Sequence, residues 1–184
     1  LRVVPNLTIA SPMDEKELRR LMYTASLPDK GCFVIRYPRG RGIYTEWKCP
    51  LETIEVGTGR KINDGEDVAV LTLGPIGNDV QDVIATMDKK PAHYDMRFLK
   101  PLDENLLKEV AEKYKHIITI EDGVRNGGMG TAVMEWLNDN GYTNISVKRM
   151  GIPDKFIEHG SINELRAIIG LDNDTIKKTI CSYM

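Results

Sequence analysis

The 184 residues carry 25 Lys and Arg against 27 Asp and Glu, a net charge of −2 that gives no global pull toward nucleic acid or anionic lipid. Hydrophobic residues make up 41% and charged residues 28%, the balance of an ordinary globular protein long enough to bury a core without staples. Three scattered cysteines, no apolar run of bilayer length and no signal-peptide pattern predict a cytoplasmic protein with free thiols and neither membrane nor nucleic-acid partners.

The opening at Leu1, almost inside a strand-like stretch, predicts a piece of a longer polypeptide. Leu7-Thr8-Ile9-Ala10 reads as a short buried strand. Ser11-Pro12-Met13-Asp14 reads as a helix start, with Ser11 as N-cap, Pro12 in the first helical position and an acid three residues past the cap. Leu18, Leu21, Met22 and Ala25 give that helix one apolar stripe. The strand Cys32–Arg36 then completes a β-α-β unit and runs into Arg36-Tyr37-Pro38-Arg39-Gly40. Pro38 fixes its own φ and pushes Tyr37 out of the helical region, so Arg39 stands on a stiff bend past the carboxyl end of a strand. Open α/β sheets bind ligands at that edge, and a planar guanidinium suits a bidentate grip on phosphate. On local chemistry alone, a solvated turn whose arginines pair with neighbouring acids fits the same residues.

Residues 40–50 have no period and read as a linker. Residues 54–62 predict an edge strand weakened by Gly57 and Gly59. Beyond it the sequence alternates: strand Val68–Leu73, helix through Val80, Val83, Ile84 and Met87, strand Ala92–Phe98, helix Asp103–Tyr114, strand Ile117–Ile120. A glycine-rich turn, Gly127-Gly128-Met129-Gly130, opens a helix bearing Val133, Trp136 and Leu137. A strand at Ile145–Met150 and two short helices near 161–169 and 173–182 close the chain. The alternation predicts a three-layer α/β/α domain over 49–184, with a mostly parallel sheet of about five strands, preceded by the β-α-β piece in 1–48.

Catalytic constellations are sparse. His93, His116 and His159 lie far apart without metal-ligand spacing, and neither a nucleophile elbow nor a Walker loop is present. His116, just before a strand, reads as a capping or surface imidazole. Aromatic residues, at 7%, do not interleave with basic ones as single-strand binding requires. The glycines at 127, 128 and 130 resemble a phosphate cradle at a helix start, yet no glycine stands at the third fingerprint position. Close helix-to-sheet or subunit packing is the favoured reading of them. Glu121 and Asp122 face opposite ways in an extended segment, which disfavours a shared acid-base site.

Several blocks then stand in a recognisable order. They are Pro5-Asn6-Leu7-Thr8-Ile9-Ala10-Ser11-Pro12 with Asp14-Glu15, Arg36-Tyr37-Pro38-Arg39-Gly40, Asp95-Met96-Arg97-Phe98-Leu99-Lys100-Pro101-Leu102-Asp103, the acid with Gly-Gly-x-Gly, and Gly151-Ile152-Pro153-Asp154 with Phe156-Ile157 and His159-Gly160. Together they resemble the carboxyl-terminal part of the deoxyxylulose-phosphate synthases, a family of transketolase-like thiamine-diphosphate enzymes. Transketolase proper and the pyruvate dehydrogenase β-subunit share the architecture but look less like these blocks.

The resemblance implies a homodimeric transferase of three domains that depends on thiamine diphosphate and magnesium. It joins pyruvate to glyceraldehyde 3-phosphate, giving deoxyxylulose phosphate and CO2 for isoprenoid, thiamine and pyridoxal synthesis. Residues 1–48 then correspond to the tail of the pyrimidine-binding domain plus linker, and 49–184 to the transketolase C-terminal domain. Arg39 matches the arginine that grips the acceptor's phosphate, with Arg36 and Tyr37 in support and Asp14 and Glu15 as helix-start acids. The Gly-Asp-Gly magnesium motif has no counterpart, since Asp122-Gly123 follows Glu121. The chain alone is therefore expected to hold no catalytic residue, no metal and no cofactor, to be inactive, and to serve assembly and acceptor-phosphate binding. A free-standing anion- or nucleotide-binding module using Gly127–Gly130, and a purely structural assembly domain, are the alternatives.

Overall fold

A computed structural model describes residues 1–40 and 42–184 and places fourteen elements on two sheets. In chain order these are β1 (Leu7–Ala10), α1 (Glu15–Ser26), β2 (Cys32–Ile35), β3 (Arg60–Asn63), β4 (Val68–Leu73), α2 (Ile76–Ala85), β5 (Ala92–Asp95) and β6 (Phe98–Lys100). There follow α3 (Glu104–Lys113), β7 (His116–Val124), α4 (Met129–Asp139), β8 (Ser146–Ile152), α5 (Ile162–Ile169) and α6 (Asn173–Cys181).

The larger sheet runs β3-β5-β4-β7-β8, parallel except for β3, which pairs antiparallel at the edge. Every residue of β4 is buried, as a strand covered on both faces must be. Ala69, Leu71 and Leu73 point to a layer built by α3 and α4, through Leu107, Val110 and Val133. Val68 and Val70 point to the other layer, with Val80, Ile176 and Ile180 from α2 and α6. This is the expected three-layer α/β/α arrangement. The chain leaves β4 in one direction to reach β5 and then returns across it to β7, with α2 and α3 on opposite faces of the sheet.

The smaller sheet has the order β2-β1-β6, with β1 and β2 parallel and β6 antiparallel to β1. Its core is Ala10, Leu21, Ile54 and Phe98.

Four expectations are corrected. Helix α1 starts at Glu15, and its cap is Asp14, whose carboxylate accepts from Glu17 N at 2.8 Å. Ser11 is not the cap, since its amide donates to Arg97 O and its hydroxyl to Arg36 O. The single strand expected over Ala92–Phe98 is two strands in different sheets. Between them Arg97 adopts φ +55°, and its amide donates to Asp95 Oδ1 at 3.1 Å. A side chain that satisfies a kinked backbone leaves apolar alternation unchanged, so the break is invisible to periodicity. The edge strand shrinks to Arg60–Asn63, because Gly57 takes φ +81° and turns the chain before it. Strand β7 is longer than expected, reaching Val124. Residues 42–50 carry no helix or strand, in line with a linker; position 41 of that stretch lies outside the described residues.

Candidate anion-binding cleft

The carboxyl ends of β1, β2, β4, β7 and β8 open on one cleft of about 610 Å³. Pro12, Met13 and Asp14 follow β1, Tyr37 to Gly40 follow β2, and Pro75 follows β4; Asp122 and Ile152 come from the ends of β7 and β8. Leu165 and Arg166 of α5 form the far wall. Chain order in the larger sheet reverses between β4 and β7, so the cleft lies at a topological switch point.

Arg39 lines this cleft, exposed, and makes no ion pair among the described residues. The two acids at the start of α1 are engaged elsewhere. Asp14 caps α1, and Glu15 accepts from the amides of Ile43 and Tyr44 at 2.9 and 3.1 Å. Arg36 behaves differently: its guanidinium donates to the Asp122 carbonyl and fastens the end of β2 to the end of β7. Tyr37 is exposed on the cleft wall. Arg166 is held by Asp79 of α2 at 2.9 Å.

The glycine-rich helix start is filled from within. Glu121 accepts from the amides of Met129 and Gly130 at 2.9 and 3.0 Å, where a bound anion would otherwise sit. Burial pushes its carboxyl above the usual range, against the pull of those two amides. The glycines serve close approach: a Cβ at Gly128 would lie 2.3 Å from Glu121 Oε2, and one at Gly130 would lie 2.4 Å from Thr119 Oγ1. Gly130→Ala is therefore expected to destabilise the fold by about 1–3 kcal/mol through overpacking, read from the urea midpoint. A change below about 0.5 kcal/mol would argue against the packing role.

Sequence reading missed a buried ionic cluster between the two sheets. Asp95 accepts from Arg60 Nε and Nη2, both at 3.1 Å. Glu17, 3% exposed, accepts from Arg97 Nε and from Met13 N, each at 2.7 Å. His93 lies on the same face of β5 as Asp95, its Nε2 2.9 Å from Thr72 Oγ1. Burial, with the Arg60 charge nearby, lowers the His93 pKa to about 4. Burial and the Glu17 charge push Asp95 up to about 7 against the pull of Arg60 and Arg97. The signal was available: charged residues inside an apolar run, at Asp95 and Arg97, require partners that a strand face does not supply. His116 starts β7 and lies 5.6 Å from the Tyr183 ring.

A family model for the transketolase C-terminal domain matches residues 57–176. The chain belongs to this transketolase C-terminal domain family. Two curated relatives, both called 1-deoxy-D-xylulose-5-phosphate synthase, agree with it. The one from Bacteroides thetaiotaomicron is 59% identical and that from Bacteroides fragilis 58%; each alignment takes in 98% of this chain and 28% of the relative. The chain thus spans under a third of the length of these relatives. A solved structure titled as a split-gene transketolase in an inactive β4 tetramer superposes with a TM-score of 0.83 at 28% identity, covering 99% of this chain and 58% of the other. No described helix is long and apolar enough to cross a membrane, and all three cysteines are free.

Proposed function

We propose that this chain is the carboxyl-terminal part of a cytoplasmic, homodimeric synthase that condenses pyruvate with glyceraldehyde 3-phosphate to 1-deoxy-D-xylulose 5-phosphate and CO2. In this reading, residues 1–48 close the pyrimidine-binding domain and 49–184 form the C-terminal domain, used in assembly. Arg39 holds the acceptor's phosphate. The observation that carries the reading is the position of Arg39: a guanidinium without an ion partner among the described residues, on a proline-stiffened turn, at the carboxyl edge of both sheets. Relatives of 58 and 59% identity that carry the synthase name support it.

Arg39 contributes neutralisation and orientation. A planar fork fixes the phosphate, and with it the distance of the aldehyde carbon from its attacking partner, which is a proximity effect. Arg36 keeps the turn at the cleft by tying it to Asp122.

In this family reading, thiamine diphosphate with Mg2+ supplies the electron sink for decarboxylation when bound. The residues described here do not fit that group. The one helix start that resembles a diphosphate cradle is taken by Glu121, and no group of three or more His, Cys, Asp or Glu among the described residues could hold the metal. No step is therefore assigned to the cofactor within this chain. Calorimetric titration of the 184-residue chain with thiamine diphosphate and Mg2+ is expected to give no heat of binding at micromolar ligand. A micromolar affinity would overturn the assignment of the cofactor to other parts of the enzyme. The phosphate role is tested by substituting Arg39, as argued in the Discussion.

A further inference from the structure

We propose that Ser11 is a positioning residue for the anion turn, holding the Arg36 peptide so that Arg39 leaves the end of β2 toward the cleft. The inference rests on the phosphate role proposed for Arg39. Ser11 is 2% exposed at the point where the two sheets meet. Its amide donates to the carbonyl of Arg97 at 2.8 Å, which ties it to the kink between β5 and β6. Arg97 is in turn held by the buried Glu17 carboxylate at 2.7 Å. The Ser11 hydroxyl donates to the carbonyl of Arg36 at 3.0 Å.

That hydroxyl has a particular place in the turn. The amide of Arg36 makes the last ladder-like bond of the strand, to Ala10 O at 2.9 Å. Beyond it Pro38 has no amide to anchor the chain. Among the described residues, the Ser11 hydroxyl gives the last hydrogen bond to backbone before Arg39. Glycine at 74 leaves this hydroxyl its room, since a Cβ there would stand 2.4 Å from Ser11 Oγ. The buried ionic cluster, Ser11 and the Arg36 peptide thus form one connected series of contacts ending three residues short of the guanidinium.

Arg36 is exposed, so water can satisfy its carbonyl if the hydroxyl is removed. Removal should release the orientation of the turn and leave the fold intact. The test uses Ser11→Ala and Ser11→Thr in a full-length synthase carrying these residues, with Arg39→Ala in parallel. Ser11→Ala is expected to raise the KM for glyceraldehyde 3-phosphate about three- to tenfold, the range of one neutral hydrogen bond. It should leave kcat, the KM for pyruvate, the KM for unphosphorylated glyceraldehyde and the melting temperature at wild-type values. Ser11→Thr, which keeps the donor, should restore the wild-type KM, and Ser11→Ala should add nothing to Arg39→Ala. A wild-type KM in Ser11→Ala, beside a raised one in Arg39→Ala, would overturn this inference alone. A fall in kcat with a lowered melting temperature would mark Ser11 as merely structural and overturn it too. A wild-type KM in Arg39→Ala would remove the phosphate reading itself.

Discussion

Arg39→Ala in a full-length synthase carrying these residues is expected to raise the KM for glyceraldehyde 3-phosphate by one to two orders of magnitude, because a charged contact to phosphate is worth about 1.5–3 kcal/mol. The KM for pyruvate should stay within about twofold, since pyruvate carries no phosphate for this turn to hold. Unphosphorylated glyceraldehyde, already lacking the contact, should be used equally by both enzymes. Arg39→Lys should fall between wild type and alanine, because an ammonium keeps the charge and loses the fork. The environment sharpens the expectation. Glu15 and Asp14 are held by backbone amides, so the loss of the guanidinium frees no neighbouring salt bridge and should not disturb the fold. Equal losses for both substrates would speak for general damage to the site and against phosphate recognition.

The second large effect concerns pH and stability. His93 titrates near 4 in the folded chain and near 6.5 when unfolded, so between these values the unfolded chain binds a proton that the native one refuses. Its contribution is complete above pH 6.5 and disappears as pH falls toward 4. At about 1.4 kcal/mol per pH unit the interval is worth roughly 3 kcal/mol. Asp95 acts in the opposite sense: raised from 3.8 to about 7, it contributes fully below pH 3.8 and loses that contribution as pH rises to 7. Urea titrations from pH 4 to 7 should therefore separate the two. Relative to His93→Gln, the wild type should gain about 3 kcal/mol as pH rises from 4 to 6.5. Relative to Asp95→Asn, it should lose stability over the same range. Curves that run parallel for wild type and both variants would show that neither group titrates as its burial requires.

Much of the architecture was legible because apolar alternation and helix stripes are local signals. Val68–Leu73 declared an apolar strand, and the short helices expected near 161–169 and 173–182 stand at Ile162–Ile169 and Asn173–Cys181. The turn at 36–40 was visible for the same reason, since Pro38 dictates backbone shape without tertiary help. What escaped depends on partners distant in sequence. Ser11 looked like a helix cap, the residue type favoured there, but Arg36 just past β2 and Arg97 at the kink between β5 and β6 claim its hydroxyl and amide. Arg97 looked like the interior of a strand; the bend there is held by its amide bond to Asp95 and by its side-chain bond to Glu17, eighty residues earlier. For the glycines at 128 and 130 local sequence favoured packing over a cradle without naming the partner. Glu121 occupies the helix start.

The pairing of Ile9 with Lys100 has a consequence for biogenesis. A ribosome releases β1 long before β6 exists, so one flank of that short strand waits, open to intermolecular pairing, while the intervening chain is synthesised. Its protection in the interval falls to α1 and β2, which are local and can close over it at once, and the small sheet is completed late, when translation has passed Lys100.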